Sequence, residues 1–253
     1  MNNSMGQELR APDLLKQLKQ FTAARIAIGR VGSSIPIKES LQFNLAHAHA
    51  RDAVYSVLDV DGLFAALKAF DLPVLQLRSK ALTRHKYLKR PDLGRQLDED
   101  SSLHLAGYSG YDIAIIIADG LSAAAVNENA FGLLHLLVPK LLAAKLTIAP
   151  ICLVEQGRVA IGDDIGKGLN AKFSVVLVGE RPGLSSADSL GAYLTYSPKR
   201  GLTDESRNCV SNIRPHGLKY KPAAEKIFYL VIEAFKRKIS GVALKDNEGL
   251  IDH

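Results

Sequence analysis

The chain has 253 residues, 47% hydrophobic and 23% charged, the balance of a globular protein able to bury a core. Two cysteines, Cys152 and Cys209, exclude a disulfide framework and fit a reducing cytoplasm; the start MNNSMGQELR lacks the apolar core of a secretory signal, and the longest apolar runs are too short to cross a bilayer. The formal net charge is +6, and residues 199–238 hold ten Lys/Arg against four Asp/Glu, yet no helix-turn-helix, RNP or zinc-finger pattern accompanies them.

Residues 7–27 carry apolar positions at helical spacing (Leu9, Leu14, Leu15, Leu18, Phe21), with Pro12 suited to a helix start. A glycine-containing break over 29–40 follows, then predicted helices over 41–59 and 61–70 that end before Pro73. From there the period changes. Strands are predicted at 74–79 (VLQLRS), 113–119 (IAIIIAD), 146–154 (LTIAPICLV), 173–180 (FSVVLVGE) and 190–197 (LGAYLTYS). Between them lie a Pro-Asp turn leading into a helix, a helix near 128–145, and a Gly-Asp-Asp turn with a short helix over 158–170; a terminal amphipathic helix spans 223–240. Strands alternating with helices imply an α/β fold with a doubly wound, mostly parallel, Rossmann-like sheet. The expected organisation is an N-terminal helical segment, residues 1–72, and an α/β domain, residues 73–253.

In such a sheet, ligands bind beyond the carboxyl ends of the strands. Two loops qualify. Asp119-Gly120-Leu121-Ser122 joins a buried strand to a helix, where backbone N–H groups and the helix dipole can meet an anion or a carbonyl; it also reads as a plain turn with Ser122 as cap. Gly179-Glu180-Arg181-Pro182-Gly183 sets a charged pair directly after an apolar strand, which is costly unless partnered, and it equally reads as a surface turn. Neither is a GxGxxG or Walker loop. His47 and His49, two apart on a helix, point to different faces and cannot share a metal. Ser33 and Ser34 lack a base, and Cys209, near Arg207 and Arg214, has no histidine assigned to it. No self-contained catalytic set emerges.

Several blocks in order along the chain resemble the small subunit of ethanolamine ammonia-lyase. They are ARIAIGRVGSSIP at 24–36, FNLAHAHARDAV at 43–54, YLKRPDLGRQLD at 87–98, IADGLSA at 117–123, the long run from Val178 to Tyr220, and the helix beginning at Ala223. The resemblance implies conversion of ethanolamine to acetaldehyde and ammonia by adenosylcobalamin (coenzyme B12) radical chemistry. It implies a hetero-oligomer in which a large TIM-barrel subunit supplies the substrate pocket and the corrinoid sits between the two subunits. No nucleic-acid or membrane partner is expected on this reading; the alternative reading is a non-catalytic α/β binding module that uses its basic C-terminal face for nucleic acid. The family's cofactor-binding residues in this subunit fall on Val159, Glu180 and Cys209. Val159 would pack on the corrinoid or offer backbone groups, Glu180 would accept hydrogen bonds from its amide side chains, and Cys209 would be a small packing residue rather than a nucleophile. No catalytic or metal-ligating residue is expected in this chain. The expected setting is the cytoplasm, with the inside of a bacterial microcompartment left open; some relatives carry a long N-terminal extension linked to solubility and packaging, whereas here about two dozen residues precede the first matching block.

Overall fold

A computed structural model describes residues 17–22 and 24–246. It divides into two compact units between His49 and Ala50. Most of the helix predicted over 7–27 lies outside the described residues. In the first unit, Val31 and Ser34 exchange backbone hydrogen bonds of 2.8 and 3.1 Å, closing the turn that precedes helix α1 (Ile37–Tyr55). That helix begins earlier than its apolar pattern indicated, directly after Pro36, and ends earlier too, before Ser56.

The second unit is built on one six-stranded sheet. Helix α2 (Val60–Leu67) leads to strand β1 (Val74–Arg78), followed by short helices α3 (Arg84–Lys89) and α4 (Glu99–His104). Then come β2 (Ile113–Ala118), α5 (Ala123–Ala143), β3 (Ile151–Glu155), α6 (Ile161–Gly168), β4 (Phe173–Gly179), β5 (Leu190–Tyr196), β6 (Asn208–Ile213) and α7 (Tyr220–Arg237). The strand order is β1-β3-β2-β4-β5-β6; the first four run parallel, and β5 is antiparallel to both β4 and β6. This is the α/β architecture expected, with an antiparallel edge added.

β2 explains why the sheet takes two layers of helices. All six of its residues are fully buried, so a β-branched run with no polar face must be covered on both sides. Ile113, Ile115 and Ile117 pack in one cluster with α2, α5 and α7, while Ala114, Ile116 and Ala118 pack in the other with α6 and Leu105.

Two sequence expectations shift. The strand predicted over 146–154 shrinks to β3, because Pro150 has no N–H to donate to a ladder. The helix expected near 128–145 starts at Ala123, where the Ser122 hydroxyl accepts from Ala125 N at 3.2 Å and caps it. β6 was not foreseen: its sequence, NCVSNI, is a polar edge strand whose asparagines read as turn residues.

Candidate functional site

The parallel strands β1, β3, β2 and β4 share one direction, so their carboxyl ends share one edge, and a cleft of about 430 Å³ opens there. It is lined by Tyr87, Gly120, Leu121, Arg158, Val159, Val178, Gly179, Glu180, Arg181 and Tyr193. Three loops build it. The loop after β2 presses against the end of β4: Leu121 N donates to Gly179 O at 2.9 Å. Gly120 has φ +58°, and a Cβ there would stand 2.3 Å from Gly179 O, so only glycine allows the approach.

Asp119 ties the loop after β2 to the loop after β3. Its two carboxylate oxygens accept from Gln156 N and Gly157 N, each at 3.0 Å, and Arg84 Nη1 stands 3.7 Å away. Burial pushes the Asp119 carboxyl up to about 6, against the downward pull of those hydrogen bonds and of Arg84. The loop after β2 is therefore chiefly a structural joint, with Ser122 also donating to Ala187 O at 2.9 Å.

The loop after β3 delivers Arg158 and Val159. Arg158 packs its guanidinium 4.4 Å from the Tyr87 ring centre and donates from Nη2 to Tyr87 O at 3.0 Å. Tyr87 is buried, and burial pushes its hydroxyl up to about 12. Glu180 follows β4. Its Oε2 accepts from Ser189 Oγ at 2.5 Å and from Asn212 N at 3.2 Å, which anchors the carboxylate to β5 and β6 and leaves Oε1 outside both bonds.

Val159 and Glu180, far apart in sequence, thus line the same cleft. Cys209 stands one strand further out, exposed, and paired in register with Tyr193, which lines the cleft. Partial burial raises the Cys209 thiol, and the nearby Glu180 charge adds to this, so the residue is not an activated nucleophile. Neither neighbouring arginine reaches it as a counter-charge. Arg207 is buried against Asp163 at 2.7 Å, and Arg214 bonds Asp188 at 3.1 Å. Tyr87, Arg158 and Tyr193 were not singled out from sequence; lying just beyond a strand end was the one available signal, and it marks Arg158 alone.

The basic run over 199–238 is matched in part: six of its ten Lys/Arg are paired. Arg200, Arg207, Arg214, Lys226, Lys236 and Arg237 each pair with a carboxylate, while Lys199, Lys219, Lys221 and Lys238 are exposed. Among the described residues no group of three or more His, Cys, Asp or Glu could hold a metal, and no helix is long and apolar enough to cross a membrane.

The ethanolamine ammonia-lyase light chain (EutC) family profile matches residues 12–245. The chain belongs to this family. It is 51% identical over 236 residues to the ethanolamine ammonia-lyase small subunit of Azotobacter vinelandii, covering 91% of this chain and 87% of that one. It is 52% identical over 234 residues to the Pseudomonas aeruginosa (strain UCBPP-PA14) small subunit and 51% identical over 234 residues to that of Ralstonia nicotianae, covering 90% of this chain each time and 86% and 87% of the relatives. As a light chain it is part of a lyase, and the cleft lies inside the matched span.

Proposed function

We propose that this chain is the small subunit of an adenosylcobalamin-dependent ethanolamine ammonia-lyase. In this reading its α/β domain lines one side of a corrinoid held against a large TIM-barrel subunit. The observation that carries the reading is the meeting of Val159 and Glu180 in one cleft at the carboxyl edge of the sheet. The lining residues fit such a ligand. Leu121, Val159, Val178 and the two tyrosine rings give an apolar wall suited to the corrin periphery. Glu180 gives a carboxylate that accepts amide protons, pre-aimed by Ser189 and Asn212.

When bound, adenosylcobalamin supplies the radical that initiates deamination of ethanolamine to acetaldehyde and ammonia. This chain's residues bind and orient. Glu180 is the polar anchor, Val159 the apolar contact, and Cys209 a small packing residue beside Tyr193. A cleft of about 430 Å³ covers only part of so large a cofactor, which supports a site completed by the partner.

The test is reconstitution. The chain alone, the large subunit alone and the two together are each incubated with adenosylcobalamin and ethanolamine. Acetaldehyde should form only in the mixture, and the assembled protein should retain a corrinoid absorbance spectrum through gel filtration. Acetaldehyde from the chain by itself, or a mixture that retains no corrinoid, would overturn the assignment.

A further inference from the structure

Arg158 is a held cation of the cleft and, among the described residues, has no anion. Its backbone N–H donates to Gly94 O at 2.8 Å, and its stem lies against Gly94, where an added Cβ would stand 3.1 Å from Arg158 Cγ. The guanidinium is stacked on Tyr87 and bonded through Nη2 to Tyr87 O, yet its Nε is buried with no acceptor. Among the described residues it makes no ion pair. Arg84, Arg200, Arg207 and Arg214 each have one, with Asp119, Asp164, Asp163 and Asp188. Arg181 also lines the cleft without a carboxylate, but it is exposed, where water satisfies it.

An arginine fixed in this way loses its solvent when a ligand and a second subunit cover the cleft. Leaving it without an acceptor there is costly. The planar guanidinium favours an oxyanion that takes two parallel hydrogen bonds, as a phosphate or carboxylate does. The corrinoid of the proposed function carries its one phosphodiester in the nucleotide tail, while its periphery is otherwise amides. The cleft divides along the same lines, with Glu180 offering acceptors and Arg158 offering donors. We propose that Arg158 binds the phosphodiester of the corrinoid's nucleotide tail. The proposal rests on the corrinoid reading above; the competing source of an anion is a carboxylate of the large subunit.

The experiment compares cobalamin with cobinamide, a corrinoid lacking the nucleotide tail and its phosphodiester. Both are titrated by absorbance into the assembled two-subunit enzyme carrying parent, Arg158→Gln or Arg158→Lys small subunit. Arg158→Gln should weaken cobalamin binding by about ten- to a hundredfold, as expected for one lost charge-assisted contact. Cobinamide affinity should not change, which also shows that the variant is folded and assembled. Arg158→Lys, keeping the charge without the planar fork, should fall between. Equal losses for both corrinoids, or no loss for either, would overturn the role of Arg158 alone. So would weakened subunit association of Arg158→Gln in cofactor-free sedimentation, which would assign the guanidinium to a partner carboxylate. If the parent enzyme binds neither corrinoid, the corrinoid reading fails and the proposal with it.

Discussion

Glu180 has one carboxylate oxygen committed to Ser189 and Asn212 and the other outside both bonds, so substitutions there separate anchoring from charge. A glutamine can keep both donors on its carbonyl oxygen and loses only the charge; an alanine loses every acceptor. In assembled enzyme, Glu180→Ala should weaken adenosylcobalamin binding by roughly one to two powers of ten, and Glu180→Gln by less. The ethanolamine Michaelis constant should stay near the parent value at saturating cofactor. Unchanged cofactor affinity with a raised ethanolamine constant would remove Glu180 from the corrinoid site. Asp119 has a different kind of role. Its burial raises the carboxyl from 3.8 to about 6, so ionisation is harder in the folded chain than in the unfolded one. The native state then holds the proton more tightly, and this group's contribution to stability falls as pH rises from about 4 to about 6. The shift from 3.8 to about 6 corresponds to roughly 3 kcal/mol. Asp119→Asn has no such slope, and its amide nitrogen would face one of the two backbone donors, Gln156 N or Gly157 N. Urea unfolding should find the variant less stable at pH 7 by about 1–3 kcal/mol, with the parent's lead growing as pH drops from 6 to 4. A constant difference across that range would show that Asp119 does not titrate there.

At the scale of elements, the joint between α6 and the start of β6 is a buried ion pair. Arg207 donates from Nη1 and Nη2 to the two Asp163 oxygens at 2.8 and 2.7 Å, and both side chains are almost wholly buried. Arg207 also donates to Thr195 Oγ1 at 3.2 Å, so the pair reaches β5 as well. Together these bonds attach the antiparallel edge, which carries Tyr193 and Cys209, to the helix that follows Val159. Arg207→Met leaves Asp163 buried and unpaired, and should lower unfolding free energy by about 3–5 kcal/mol. Adding Asp163→Leu should recover part of that loss, because it removes the orphaned charge. Denaturant melts of the two variants read this directly; a single variant as stable as the parent would mean that the pair contributes nothing to holding the edge.

At the largest scale, the four parallel strands of the second unit bring their carboxyl ends to one edge of the sheet. The parallel strands converge on a cleft whose lining includes one carboxylate, already bonded to Ser189 and Asn212, and two arginines, with no histidine or lysine among its residues. That composition, one acceptor and two guanidinium donors among apolar walls, suits holding a ligand with a polar rim. An isolated chain without turnover, activated by its large subunit, is the behaviour such a surface predicts.

The alternation of apolar runs and amphipathic stretches was enough to give the α/β class and nearly every buried strand. β2 and β4 are long enough, and apolar enough, that no partner other than a two-sided core satisfies them. The Ser122 cap and the carboxyl-edge position of Glu180 were legible for the same local reason. Motif resemblance, not periodicity, pointed to Val159 and Cys209. Only the tertiary structure brought Val159, Glu180 and Tyr193 to one cleft, because strand order is set by which faces bury together, and no local pattern encodes that neighbourhood. It alone revealed β6, whose polar sequence is stabilised by pairing with β5 rather than by its own hydrophobicity, and so gave Cys209 its place beside Tyr193. Arg207 and Arg158 look alike in sequence. Their surroundings separate them: Asp163 pairs with the first, whereas among the described residues the second makes no ion pair and stacks on Tyr87.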